Sequence, residues 1–184
     1  MIVCSNNKND MRGIRMILLI DTTNEGIGMK IASELENSSG GKSYEYIDAS
    51  NMNISHCVGC NFCWLKTPGQ CVIKDEYEPL LKKMSKADQV WLISDTKFGF
   101  VSYKTKNIVD RVMPIVTMNL HIVGNQMRHI TRYDKNPNWG VIYSGDGDKN
   151  YLSWWCERVA INFGSKSLGV FNENEYKEAI SCMQ

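Results

Sequence analysis

The stretch QVWLISDTKFGFV, Gln89–Val101, decides the fold. Its first six residues, Gln89–Ser94, are a short apolar run of strand length that reads as buried on both faces. That pattern belongs to a parallel sheet covered by helices. The polar, glycine-bearing DTKFGFV that follows reads as a strand-to-helix loop, with a helix expected from about Ser102 to Val112.

The same alternation recurs on either side. Just upstream, Asp75 reads as a helix cap with Glu78 as its capping-box partner. Pro79 stands in the first turn, and Leu80, Leu81, Met84 and Ala87 form the buried stripe. Further upstream, Arg15–Ile20 (RMILLI) is a strand and DTTNEGIG a loop. Met29, Ile31, Ala32 and Leu35 then fall at helical spacing, the Ser38–Gly41 cluster stops that helix, and Tyr44–Asp48 is a second strand. Downstream, Gly140–Ser144 is a fourth strand followed by a glycine-rich loop, SGDGD. Tyr151–Phe163 is a helix with Leu152, Trp155, Val159 and Phe163 on one stripe. Ser167–Phe171 is the fifth strand and Glu173–Cys182 the last helix. Asn119–Asn138, with His121, Arg128, His129, Arg132 and Tyr133, has no clear periodicity and reads as a surface insertion.

Strands alternating with helices predict an α/β fold. Five strands fit a flavodoxin-like doubly wound five-stranded parallel sheet, order 2-1-3-4-5, with helices on both faces. In such sheets ligands sit outside the carboxyl ends of the strands. That directs attention to three loops, Asp21–Gly28, Asp95–Ser102 and Ser144–Asn150. In the first, Thr22, Thr23 and Asn24 offer donors beside a helix N-terminus, where a phosphate is favoured. In the second, Gly99 permits close backbone approach to a planar heterocycle. The 184 residues read as one domain with an N-terminal extension (1–13), a cysteine-rich loop (50–74) and the insertion (119–138).

Lys+Arg is 21 and Asp+Glu 20, so the net charge of +1 gives no reason to expect nucleic acid or an acidic membrane as partner. No apolar run approaches the roughly 20 residues of a membrane span, and the polar N-terminus lacks the apolar stretch of a signal peptide. A cytoplasmic location is the expectation, and with it reduced thiols. Four of the seven cysteines crowd into CVGCNFCWLKTPGQC: Cys57, Cys60, Cys63 and Cys71. The spacing C-x2-C-x2-C-x7-C suits a [4Fe–4S] cluster better than paired zinc knuckles. Zinc, or reduced thiols packing a loop, also fits. Cys4, Cys156 and Cys182 read as ordinary small apolar residues.

At these residues the chain resembles a known family. The run CVGCNFCWLKTPGQCVIKDEYEPLL, the aromatic-Gly loop after the third strand, and Lys106 with Asp110-Arg111 resemble flavodoxin-like NAD(P)H-dependent FMN reductases, in particular the iron–sulfur flavoprotein branch. MRHITRYDKNP and GVIYSG extend the likeness. The resemblance implies FMN, NAD(P)H as reductant, a small-molecule or protein electron acceptor, and homodimers or homotetramers. It places the FMN phosphate on Thr22, Thr23, Asn24 and Gly26. The ring falls to Thr96, Lys97, Phe98, Gly99 and Phe100, with Ser144 and Gly145 alongside. Any cluster falls to the four clustered cysteines. Two departures fall on the cofactor loops. The family's first loop usually carries G-S-x-R, where this chain has Asp21-Thr22-Thr23-Asn24-Glu25. The other loop usually begins with proline, where this chain has Asp95. Both departures favour an alternative, a non-enzymatic binding or assembly protein that has lost the flavin.

Overall fold

The computed structural model describes residues 16–38 and 43–183. The N-terminal extension with Cys4, Arg15 at the head of the first strand, and the Ser39-Gly40-Gly41 part of the helix stop lie outside the described residues.

The central sheet is parallel, in the order β2-β1-β3-β7-β8: β1 (Met16–Asp21), β2 (Ser43–Asp48), β3 (Gln89–Lys97), β7 (Asn138–Ser144) and β8 (Ser167–Asn172). Counted along the sheet alone, this is the expected order. A short strand, β4 (Phe100–Val101), folds back antiparallel on the end of β3, and β5 (Val116–Val123) pairs with β6 (Gln126–Thr131) in a separate hairpin. The helices are α1 (Ile27–Ser38), α2 (Phe62–Leu65), α3 (Tyr77–Met84), α4 (Tyr103–Asp110), α5 (Lys149–Asn162) and α6 (Tyr176–Cys182).

Side chains alternate across the sheet and build a core on each face. Leu18, Ile20, Val90, Leu92 and Val141 point to the face covered by α3, α4 and α5, where they meet Leu80, Met84, Ile108, Leu152 and Val159. Ile17, Leu19, Trp91, Ile93 and Ile142 point to the face covered by α1 and α6, against Ile31, Leu35 and Ala179. Gly140 lies under Trp91: a Cβ there would fall 2.4 Å from the indole.

Four local expectations are corrected. The strand opened by Gln89 runs on to Lys97, because Phe98-Gly99 is a two-residue turn with positive φ at both positions (52° and 77°), and β4 pairs behind it. Most of the supposed irregular insertion is the β5–β6 hairpin, turned by Gly124 at φ 60°. Asp75 and Glu78 form no capping box. The Asp75 carboxylate does accept the Tyr77 N–H, but it also serves Ser55 and Arg111, while Glu78 pairs with Lys74 and Lys82 on the surface. A capping box does occur where none was expected, between Asn172 and Glu175 ahead of α6. Cys182 is buried and disulfide-bonded rather than an ordinary apolar residue.

Candidate functional site

At the carboxyl edge of the sheet the loop after β3 meets the loop after β7. Thr96 Oγ1 donates to the Ser144 carbonyl at 2.8 Å, and the Asp148 N–H donates to the Gly99 carbonyl at 3.0 Å, so the β3–β4 turn rests on the loop after β7. Gly145 lies at φ 81°, and its missing Cβ would stand 3.0 Å from Thr96 Oγ1. Asp148 caps α5 by accepting the N–H groups of Asn150 and Tyr151. Phe100 packs against Tyr151 and Trp155, whereas Phe98, at the tip of the turn, is fully exposed. Lys97 extends into solvent 3.7 Å from Asp95.

The first loop is built differently. The Asp21 carboxylate turns inward and is almost completely buried. It accepts the Thr23 N–H (2.8 Å), the Thr23 hydroxyl (2.7 Å) and the Gly28 N–H (2.8 Å). It thereby supplies the negative charge that a helix N-terminus favours. Tyr46 stands beside it. Burial, the charges of Asp21 and Asp48, and a hydrogen bond to Asp21 push the Tyr46 phenol up to about 12. Thr22 is also turned inward. Its hydroxyl reaches the Ile93 carbonyl at 3.0 Å and the Thr105 hydroxyl at 2.6 Å, and Thr105 donates in turn to Ser94. The Thr22 hydroxyl therefore knits β1 to β3 and α4, the Thr23 hydroxyl closes the loop on Asp21, and Asn24, Glu25 and Gly26 form the exposed crest.

The cysteine segment leaves the carboxyl end of β2. Asn61 at φ 60° and Gly59 at φ 67° bend the chain around α2, which carries Cys63. Gly69, at φ 84°, turns it back so that Cys71 returns to the other three. Cys57, Cys60, Cys63 and Cys71 line one cavity of about 180 Å³, closed by Trp64, Ile73 and Met113. Burial, followed by the charges of Cys71, Cys57 and Cys60, pushes the Cys63 thiol up, so the four sulfurs share one electrostatic environment. Among the described residues, no three Cys, His, Asp or Glu side chains converge closely enough to hold a single metal ion. Tetrahedral zinc, with Zn–S near 2.3 Å, needs sulfurs within about 3.8 Å of one another. Four thiols lining one cavity are the donor set that a [4Fe–4S] cluster takes.

Sequence reasoning missed what fixes this loop. Lys104 and Asn107 on α4, and Arg111 just past its end at the same helical spacing, each donate to a carbonyl at the start of the segment: Ser50 (2.6 Å), Ile54 (3.0 Å) and Ser55 (3.2 Å). Arg111 also reaches the far end, donating to the Ile73 carbonyl, the Asp75 carboxylate and Cys71 Sγ (3.4 Å). Burial pushes the Asp75 carboxyl up, but hydrogen bonds from Arg111, Ser55 and Tyr77 overcome this and hold it below the usual range. On the outer side, the His129 ring of β6 lies 4.8 Å from Trp64, whose indole N–H donates to Met113. The hairpin thus buttresses the cysteine loop. Several of its apolar side chains, among them Met118, Leu120, Ile122 and Met127, are exposed.

A parallel sheet in this order, covered by helices on both faces, is a flavodoxin-like fold. Solved structures with the same fold include an NAD(P)H:quinone oxidoreductase from Methanothermobacter marburgensis (TM-score 0.60, 14% identity, 94% of this chain and 92% of that one). Another is an FMN-dependent NADH-azoreductase from Bacillus anthracis in complex with FMN (TM-score 0.58, 13% identity, 92% of this chain and 99% of that one).

In sequence, the curated relatives are iron–sulfur flavoproteins. One from Archaeoglobus fulgidus is 35% identical over 136 residues, covering 74% of this chain and 55% of that protein. One from Methanocaldococcus jannaschii is 39% identical over 71 residues, covering 39% of this chain and 36% of that protein. The chain thus matches about half or less of the length of these relatives. No protein-family model matches it. Among the described residues, no helix is long and apolar enough to cross a membrane.

Proposed function

We propose that this chain is an FMN-dependent NAD(P)H oxidoreductase or electron-transfer flavoprotein whose four clustered cysteines hold a [4Fe–4S] cluster. It would pass electrons to a small-molecule or protein acceptor and work as a homodimer or homotetramer in the cytoplasm. One observation carries the reading: four thiols from a single loop surround one cavity, and the loop is tied at both ends to α4. When bound, the flavin exchanges two electrons with NAD(P)H and single electrons with the cluster.

The protein's own part is position and electrostatics. The 96–100 turn and Ser144-Gly145 offer an open, backbone-rich wall for the ring. Phe100 is fixed by Tyr151 and Trp155, Phe98 is exposed to a ligand, and Lys97 stands at the surface paired with Asp95. For the phosphate, the hydroxyls of Thr22 and Thr23 do not fit, since both are spent inside the protein. That leaves Asn24 and the backbone of 24–26, Gly26 included. Replacing any one of Cys57, Cys60, Cys63 or Cys71 with serine removes most of the iron from anaerobically purified protein, whereas Cys156→Ser leaves it unchanged. Equal iron in all five variants would refute the ligand assignment.

The buried Asp21 favours a second reading, a flavodoxin-like binding or assembly protein that keeps the cysteine centre and has given up the flavin. It places a fixed negative charge at the helix end that would otherwise serve a phosphate. Titration with FMN separates the two, because only the first reading predicts a saturable complex.

A further inference from the structure

Arg111 is one of the largest fully buried side chains of the protein. It follows the last residue of α4, and its guanidinium faces the base of the cysteine loop. One terminal nitrogen donates to the Ser55 carbonyl and to Asp75. The other donates to the Ile73 carbonyl and to Cys71 Sγ. Its Nε, also buried, has no hydrogen-bond partner. The Tyr77 ring covers one face at 4.4 Å.

A neutral donor could tie the two loop ends together at smaller desolvation cost, since burying a cation is expensive even when it is paired. What a guanidinium adds is a permanent positive charge in a dry setting where Coulomb interactions are strong. Asp75 offsets that charge at Nη1, while the Nη2–H points at a cysteine sulfur. Hydrogen bonds to cysteine sulfurs and local net charge are the means by which a protein sets the potential of an iron–sulfur centre.

We propose that Arg111 is a positioning residue that sets the reduction potential of the centre held by the four cysteines, with Asp75 as the opposing charge that limits its effect. This rests on the cluster reading above. The step concerned is the uptake of one electron, delivered by reduced flavin, with no bond made or broken. It adds one negative charge to a centre already anionic through its thiolates. A fixed positive charge against Cys71 stabilises the reduced form, so the signs are determined. Removing the charge of Arg111 lowers the potential, and removing that of Asp75 raises it.

The test is a redox titration of the anaerobically prepared holoprotein, followed by electron paramagnetic resonance, with iron and acid-labile sulfide counted in each sample. Arg111→Gln makes reduction at least tenfold less favourable, a fall of 59 mV or more for one electron. Asp75→Asn moves the midpoint the other way, and Arg111→Lys falls between wild type and Arg111→Gln. A midpoint unchanged in Arg111→Gln with full iron content would overturn the proposal. Should Arg111→Gln lose its iron, Asp75→Asn decides, because it keeps the guanidinium: a rise supports the assignment and an unmoved or lower midpoint overturns it. Wild-type protein without iron or sulfide would overturn the cluster reading itself, and this is seen before any variant is made.

Discussion

Asp21→Asn separates the two tasks that one carboxylate performs at the first loop. The carboxylate accepts from Thr23 twice and from Gly28 once, at 2.7–2.8 Å, while buried. An amide keeps one accepting oxygen and turns a donor toward the other N–H. At least one charge-assisted bond is lost, at about 1.5–3 kcal/mol each. The favourable helix-end charge, worth roughly 0.3–1 kcal/mol, goes with it. The variant is therefore expected to be less stable by about 2–4 kcal/mol in urea denaturation.

FMN affinity moves the other way. A carboxylate ~6 Å from a phosphate charge, at an effective dielectric near 20, repels it by roughly 3 kcal/mol. Removing it strengthens binding by one to two orders of magnitude, read by flavin fluorescence titration. Adding FMN to the urea series recovers part of the lost stability through mass action. A variant as stable as wild type would contradict the observed capping role. A stable variant that binds FMN more weakly would show that the phosphate does not approach this helix end.

Tyr46→Phe tests the same pocket from the alkaline side. The Tyr46 phenol is raised from 10 to about 12 in the fold, so its contribution is intact below pH 10 and is lost as pH rises toward 12. Wild type should lose up to about 2–3 kcal/mol more than the variant across that range. Equal alkaline profiles would contradict it. Phe98→Gly relieves an aromatic residue held at φ 52° with its side chain in solvent. It should raise stability by up to about 1 kcal/mol in a thermal melt while weakening flavin binding. A destabilised variant would mean that the ring packs in solution. Gly69→Val forces a β-branched residue to φ 84° beside Arg132, and should lower both stability and iron content through the displaced Cys71. Unchanged iron content would separate that turn from the centre.

The sheet was legible because each strand is a short apolar run buried on both faces, and the helices between them carry a regular stripe. The order of the strands came from matching five strands to the flavodoxin-like doubly wound sheet. The positions of the open loops follow from that order, so the 95–102 and 144–150 loops were found where they meet. Less could be read where one residue type serves two purposes. Asp75 has the sequence context of a capping residue, and the local pattern cannot show that Arg111, 36 positions later, claims the same carboxylate. Thr22 and Thr23 look like phosphate ligands in one dimension. Which way their hydroxyls turn depends on Asp21, Ile93 and Thr105, and two of those belong to other elements. The β5–β6 hairpin did leave a signal, a Gly124-Asn125 pair after alternating Met118, Leu120 and Ile122, but β6 (QMRHIT) breaks the alternation and blurred it. The Lys104, Asn107 and Arg111 face carries another readable period, hidden because its partners are backbone carbonyls.

The central claim is that the four cysteines share one iron–sulfur centre in a flavin-binding fold. Anaerobic purification followed by an absorption spectrum and by counts of iron, acid-labile sulfide and FMN tests it most directly. The account predicts a brown protein with equal amounts of iron and sulfide, both lost together in Cys63→Ser, and with FMN bound or taken up on addition. A colourless protein with neither iron nor sulfide, and no uptake of added FMN, would contradict it.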